Sequence, residues 1–257
     1  MVSSRATARH VRPRRRRNRF SRRSGRLAVL GLVALAVLIV LLVAAFSSSA
    51  PPFQQSLPKG SRANPNSPPS TMIVAREGTL NVQLPISQGA VTALGYHGTD
   101  GDSVPLEPIG RQANEGVLPA MVHWLFGGGS QGPTYYELGG AGPGTGALDV
   151  GAAQGTDVYS PVDGTVVSIG TYVLDGKAYG NTLEIQPTED ASVVVVVTRL
   201  RADPSLTVGE SVSAGLSKIG SVIDLSTVEK QTLASVSHDA GNHVTIEVDP
   251  APSLPVR

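Results

Sequence analysis

Apolar and polar residues alternate in short runs over most of the second half of this chain, and helical spacing is rare. The clearest run is 243–248. Val244, Ile246 and Val248 fall on one side of an extended strand, and His243, Thr245 and Glu247 on the other. Residues 193–197 are five consecutive valines, the pattern of a strand buried on both faces. Two short β-rich runs within 156–169 flank the turn signal Pro161-Val162-Asp163-Gly164. Residues 79–86 alternate loosely, and 182–186 read as a further short strand. Gly176, Gly180, Gly209, Gly215 and Gly220 punctuate the remainder at hairpin spacing. Two segments depart from this grammar. Pro119 precedes Met121, Val122, Leu125 and Phe126, which share one helical side. Ser226-Thr227-Val228-Glu229 has capping-box form and predicts a short helix ending near Val236. The pattern predicts an all-β domain with two short helices, beginning near Met72.

The first seventy residues are different. Residues 27–46 are an unbroken apolar run, interrupted only by Gly31. About 20 residues at a rise of roughly 1.5 Å match the thickness of a bilayer core. Residues 1–50 carry eleven Arg and no acid, and the arginine block ends at Arg26, directly against the apolar run. The positive-inside rule then places 1–26 in the cytoplasm as a basic tail and everything after the single transmembrane helix outside the cytoplasmic membrane. A cleaved signal peptide is the rival, with Ser48-Ser49-Ala50 as a small-residue cleavage site, although its apolar region should run only about 7–15 residues. Residues 47–71, rich in Ser, Pro, Asn and Gln, read as a disordered stalk. The exported part would be 72–257. Basic residues beside a membrane span read as a topology signal in contact with anionic lipid, so no nucleic-acid partner is expected. The chain has no cysteine, which excludes disulfides, a Cys nucleophile and a thiolate metal site.

Several motifs, taken in order, carry a resemblance. They are Leu148-Asp149-Val150-Gly151-Ala152, then Gly155-Thr156-Asp157-Val158-Tyr159, then Pro161-Val162-Asp163-Gly164-Thr165-Val166-Val167. Tyr179-Gly180-Asn181-Thr182-Leu183 follows, then 208–215 with Ile219-Gly220, and finally Gly241-Asn242-His243 with Thr245 and Glu247. Together they resemble the lysostaphin-type (LytM-like) zinc endopeptidases, which cut peptide bonds in bacterial peptidoglycan. Ala93-Leu94-Gly95-Tyr96 resembles the segment that opens that domain. The resemblance implies two facing antiparallel sheets forming a groove. It also implies zinc ligands at 145, 149 and 245 as His, Asp and His, a general base or acid at 243, and a further histidine at 199.

This sequence has Thr145, Asp149, Thr245, His243 and Arg199 at those positions. Asp149 is the only matching ligand, and His243 is a vestigial general base. A catalytic zinc takes three protein ligands plus an open position, and a threonine hydroxyl is a poor ligand. The expectation is therefore a degenerate member of the family with no cofactor. Its groove would hold Thr145, Arg199 and Thr245 beside Asp149 and His243, and its partner would be peptidoglycan or a cell-wall enzyme. The alternative is an active peptidoglycan metalloendopeptidase with rearranged zinc ligands. These would be drawn from Asp149, His243 and the substitute His238, with His97 and His123 more remote. A guanidinium at Arg199 would either compensate Asp149 or bind a carboxylate. A biotin- or lipoyl-type carrier domain is the third reading. It needs a lysine at a hairpin tip, where Lys177 and Lys218 lack the expected neighbours. The glycine-rich loop 127–146 lacks the Gly-Lys-Ser/Thr ending of a phosphate-binding loop.

Overall fold

The computed structural model describes residues 66–115, 132–140 and 144–252. The basic tail, the apolar run 27–46, most of the stalk, the predicted helix after Pro119 and His123 lie outside the described residues. Among those described, no helix is long and apolar enough to cross a membrane.

The described part is nearly all strand. In chain order the strands are β1 (Ile73–Glu77), β2 (Leu80–Gln83), β3 (Val91–Gly98), β4 (Glu107–Pro108), β5 (Arg111–Gln112), β6 (Thr134–Gly140) and β7 (Ala147–Ala152). They continue with β8 (Asp157–Tyr159), β9 (Gly164–Leu174), β10 (Lys177–Pro187), β11 (Val193–Ala202), β12 (Ser211–Val212), β13 (Lys218–Val222) and β14 (His243–Pro250). Two 3-10 turns, Gln88–Ala90 and Thr232–Ser235, are the only helical elements among the described residues. The capping box at Ser226 does not start a helix. Asp224 takes both the amide and the hydroxyl of Ser226 (3.0 and 2.7 Å), which stabilises a turn instead.

Hydrogen bonds join eleven strands into one sheet, whose main path runs β12-β9-β10-β11-β14-β7-β3-β6-β5. A three-stranded sheet, β2-β1-β4, stands apart from it in hydrogen bonding. The two layers share one apolar cluster, in which Val74, Leu80 and Val82 join Val150, Leu183, Val197 and Ile246. Tyr96 on β3 ties them as well. Its ring packs edge-on to Tyr135 at 5.2 Å, and its hydroxyl donates to the Val74 carbonyl at 2.7 Å. In place of the expected pair of facing antiparallel sheets, the described residues form one eleven-stranded sheet and a small three-stranded one that share a core. Most pairings are antiparallel, but β6 runs parallel to both β3 and β5.

The valine run is β11, and four of its five valines are buried; Val196 is half-buried. β9 and β10 form a long hairpin closed by Asp175-Gly176, both at positive φ (50° and 76°), as a two-residue primed turn requires. The alignment that matters for the site lies at the sheet centre. Thr245 on β14 stands opposite Asp149 on β7 and Thr198 on β11, while Gly95 on β3 stands opposite Asp149 from the other side.

Candidate functional site

Strand periodicity places His243, Thr245 and Glu247 on one face of β14, and the neighbouring strands bring Asp149 and His97 to the same face. The result is a cavity of about 450 Å³. Asp149, His243, Thr245 and Glu247 line it from the sheet centre, Thr198 and Arg199 from β11, and His97 from β3. Tyr172 of the β9–β10 hairpin and the segment 229–232 form its walls, with Leu138 and Gly139 of β6.

Asp149 sits at the centre and is 3% exposed. Its Oδ1 accepts a hydrogen bond from the Thr245 hydroxyl at 2.7 Å. His97 Nε2 lies 3.4 Å and His243 Nε2 3.5 Å from the same oxygen. Burial alone would raise the carboxyl pKa, but the His243 and His97 imidazoles and the Thr245 hydroxyl outweigh it and hold Asp149 below its ordinary value. His97 Nδ1 lies 2.9 Å from the Gly98 carbonyl, which can only accept. With Nε2 facing Asp149, both ring nitrogens are placed to donate, which favours the protonated imidazole. The Asp149 hydrogen bond pushes its pKa up to about 9 against the opposing effect of burial. His243 Nδ1 donates to the Gly241 carbonyl at 2.7 Å, which fixes the ring so that Nε2 faces Asp149. Glu247 is raised by desolvation, and its carboxylate accepts from Ser103 Oγ at 2.9 Å.

Arg199 takes a different partner from the expected one. Its Nη1 donates to Glu229 Oε1 at 2.6 Å and to Gln231 Oε1 at 3.2 Å, and it lies over the Tyr172 ring at 5.6 Å. It lines the same cavity as Asp149 but is neutralised by Glu229. Thr145 lies just before β7, with its carbonyl accepting from the Leu106 amide at 2.9 Å, and it is not among the lining residues. His238 is exposed in a turn away from the pocket. Sequence reasoning ranked His97 as remote, read Glu229 only as part of a capping box, and did not single out Tyr172 or Gln231. The one available signal was the strand alternation that puts His97 on the face opposite the buried Leu94 and Tyr96.

The arrangement defines an all-β domain with a buried polar groove. No protein-family model matches the chain, and no curated protein does. Its structure is similar to that of the M23 metalloprotease pseudoalterin from the deep sea, at 12% identity over 67% of this chain and 72% of that one, with a TM-score of 0.36. It is similar to the NMR solution structure of lysostaphin at 17% identity over 42% of this chain, with a TM-score of 0.31. A third similar structure is a zinc containing peptidase from Vibrio cholerae, at 18% identity over 62% of this chain, with a TM-score of 0.30. The chain spans 38% of the length of each of the last two.

The cofactor expectation is corrected. Two of these structures are described as a metalloprotease and a zinc containing peptidase, against the expectation of no cofactor. The alternative, zinc on substitute ligands, has no support among the described residues. Among the described residues, no group of three or more His, Asp or Glu side chains is disposed to hold a metal ion. The donor chemistry agrees. Thr245 donates its hydroxyl to Asp149, and His238 is exposed and not among the lining residues.

Proposed function

We propose that this chain is a LytM-like module that binds peptidoglycan peptides in the pocket around Asp149, held outside the cytoplasmic membrane by residues 27–46. The observation that carries the reading is the pocket itself. Asp149, Arg199, His243 and Thr245, four positions singled out by the sequence landmarks, line one cavity of about 450 Å³. That volume lies within the range of small-ligand and peptide sites. Its lining is mostly polar and charged, a surface suited to hold and orient a ligand. Binding rather than acyl transfer to a side chain is favoured, because neither imidazole has a hydroxyl partner among the described residues. A Ser or Thr nucleophile needs an adjacent base to be activated.

Topology supports the location. The arginine block against 27–46 favours a cytoplasmic N-terminus by the positive-inside rule, and the Ser- and Pro-rich composition of 47–71 suits a spacer between membrane and wall. Co-sedimentation of the 257-residue chain, kept soluble in detergent, with purified peptidoglycan sacculi tests the reading. Saturable sedimentation without release of new amino termini is expected. Absence of sedimentation, or steady release of amino termini, overturns it.

A further inference from the structure

We propose that Arg199 is the anchor for a peptide C-terminal carboxylate inside this pocket, an inference that rests on the peptide-binding reading above. Three observations carry it.

The first is backbone geometry. Arg199 has φ 61°, a left-handed conformation that a non-glycine residue adopts at a cost. It breaks the alternation of β11. Thr198 and Arg199 are consecutive, and an extended strand would send them to opposite faces, yet both line the cavity.

The second is the way the guanidinium is held. Both protein acceptors, Glu229 Oε1 and Gln231 Oε1, sit on Nη1. The edge formed by Nε and Nη2 has no protein acceptor among the described residues. That edge is the fork whose two parallel N–H groups match the two oxygens of a carboxylate. Tyr172 packs against the group, and the side chain is 18% exposed, so the fork is partly desolvated yet reachable.

The third is the rigidity of the clamp. Gln231 is 3% exposed, and its Nε2 donates to the Glu229 and Leu225 carbonyls at 3.1 and 3.4 Å. Its oxygen is thereby aimed at Arg199, so Gln231 acts as a positioning residue. Glu229 cancels the arginine charge, but Lys230 lines the same cavity and supplies a second positive group for an incoming anion. A pre-aimed fork loses little freedom on binding, which favours affinity.

The test is titration calorimetry of the 257-residue chain with a wall stem peptide synthesised as the free acid and, in parallel, as the C-terminal amide. The acid is expected to bind about tenfold tighter or more, as a charge-assisted bidentate contact implies. Arg199→Lys keeps the charge but not the fork, and should shrink the preference to within about threefold. Gln231→Leu should weaken the acid more than the amide and so narrow the preference. Equal affinity of acid and amide for the unaltered chain overturns the anchor even while sacculi still sediment, so the wall-binding reading survives on its own. Binding of the acid without sedimentation of sacculi keeps the anchor and removes the wall. The acid–amide comparison needs no variant, so it stands if a substitution fails to fold.

Discussion

Over 243–246, β14 carries two buried faces that are held by opposite means. Val244, Ile246 and Val248 are 0% exposed and pack in the shared apolar cluster. His243 and Thr245 are each 5% exposed, on the other side of the same strand. The apolar face is stabilised by area removed from water, so its worth scales with volume and packing and is indifferent to pH. The polar face gains little from area. Each of its groups must find a partner or cost free energy, and Asp149 serves as the shared acceptor for Thr245 and two imidazoles. One strand thus separates a robust half, where a change is felt as a cavity, from a conditional half, where it is felt as an unpaired charge.

The largest effect should come from the apolar face. Ile246→Ala is expected to cost about 3–4 kcal/mol by chemical denaturation, the usual range for a fully buried aliphatic residue, and the loss should not vary with pH. A pH-dependent loss would break the comparison.

On the polar face, Asp149→Asn should cost about 2 kcal/mol. It should also move the His97 pKa from about 9 back toward its ordinary 6.5, followed by NMR titration of the imidazole. A His97 pKa that stays near 9 would show that Asp149 is not what holds its proton.

The signs of the pH dependence follow from the same groups. His97 is raised in the fold, so its contribution is fully present below 6.5 and is lost as pH rises through about 9. Asp149 is lowered, so its contribution is present above its ordinary 3.8 and is lost as pH falls through its lower folded value. Melting temperature should therefore decline on both sides of a plateau lying between those limits. In His97→Gln the alkaline decline should flatten and the acid one remain. The smallest effect belongs to Thr245→Val, about 1 kcal/mol, because the two imidazoles still partner Asp149. A much larger cost would mean that the hydroxyl, not the imidazoles, holds the carboxylate.

The apolar half was the legible one. Alternation in 243–248 and the valine run located β14 and β11, and the Pro161–Gly164 turn separated β8 from β9, because these signals are local. The polar half was legible only where residues lay on the landmark motifs. His97 comes to Asp149 through the register of β3 against β7, a pairing between segments some fifty residues apart that no local pattern encodes. Glu229 and Gln231 were hidden for another reason. They lie in a segment with helical signals that folds as turns, since Asp224 captures Ser226 and the expected cap is lost. Arg199 was placed in the groove, but its pairing with Glu229 and Gln231 was not foreseen, because the positive φ at 199 is not encoded in strand alternation.

The most direct measurement is a ligand titration watched by NMR on the ring nitrogens of His97 and His243 and on Arg199 Nε in the labelled chain. Addition of a wall stem peptide should move all three resonances together with one saturation curve, while side-chain methyls of Val244 and Ile246 stay in place. Resonances that do not move at millimolar peptide, or that move only outside the Asp149 pocket, would contradict the assignment of this cavity as the peptide site.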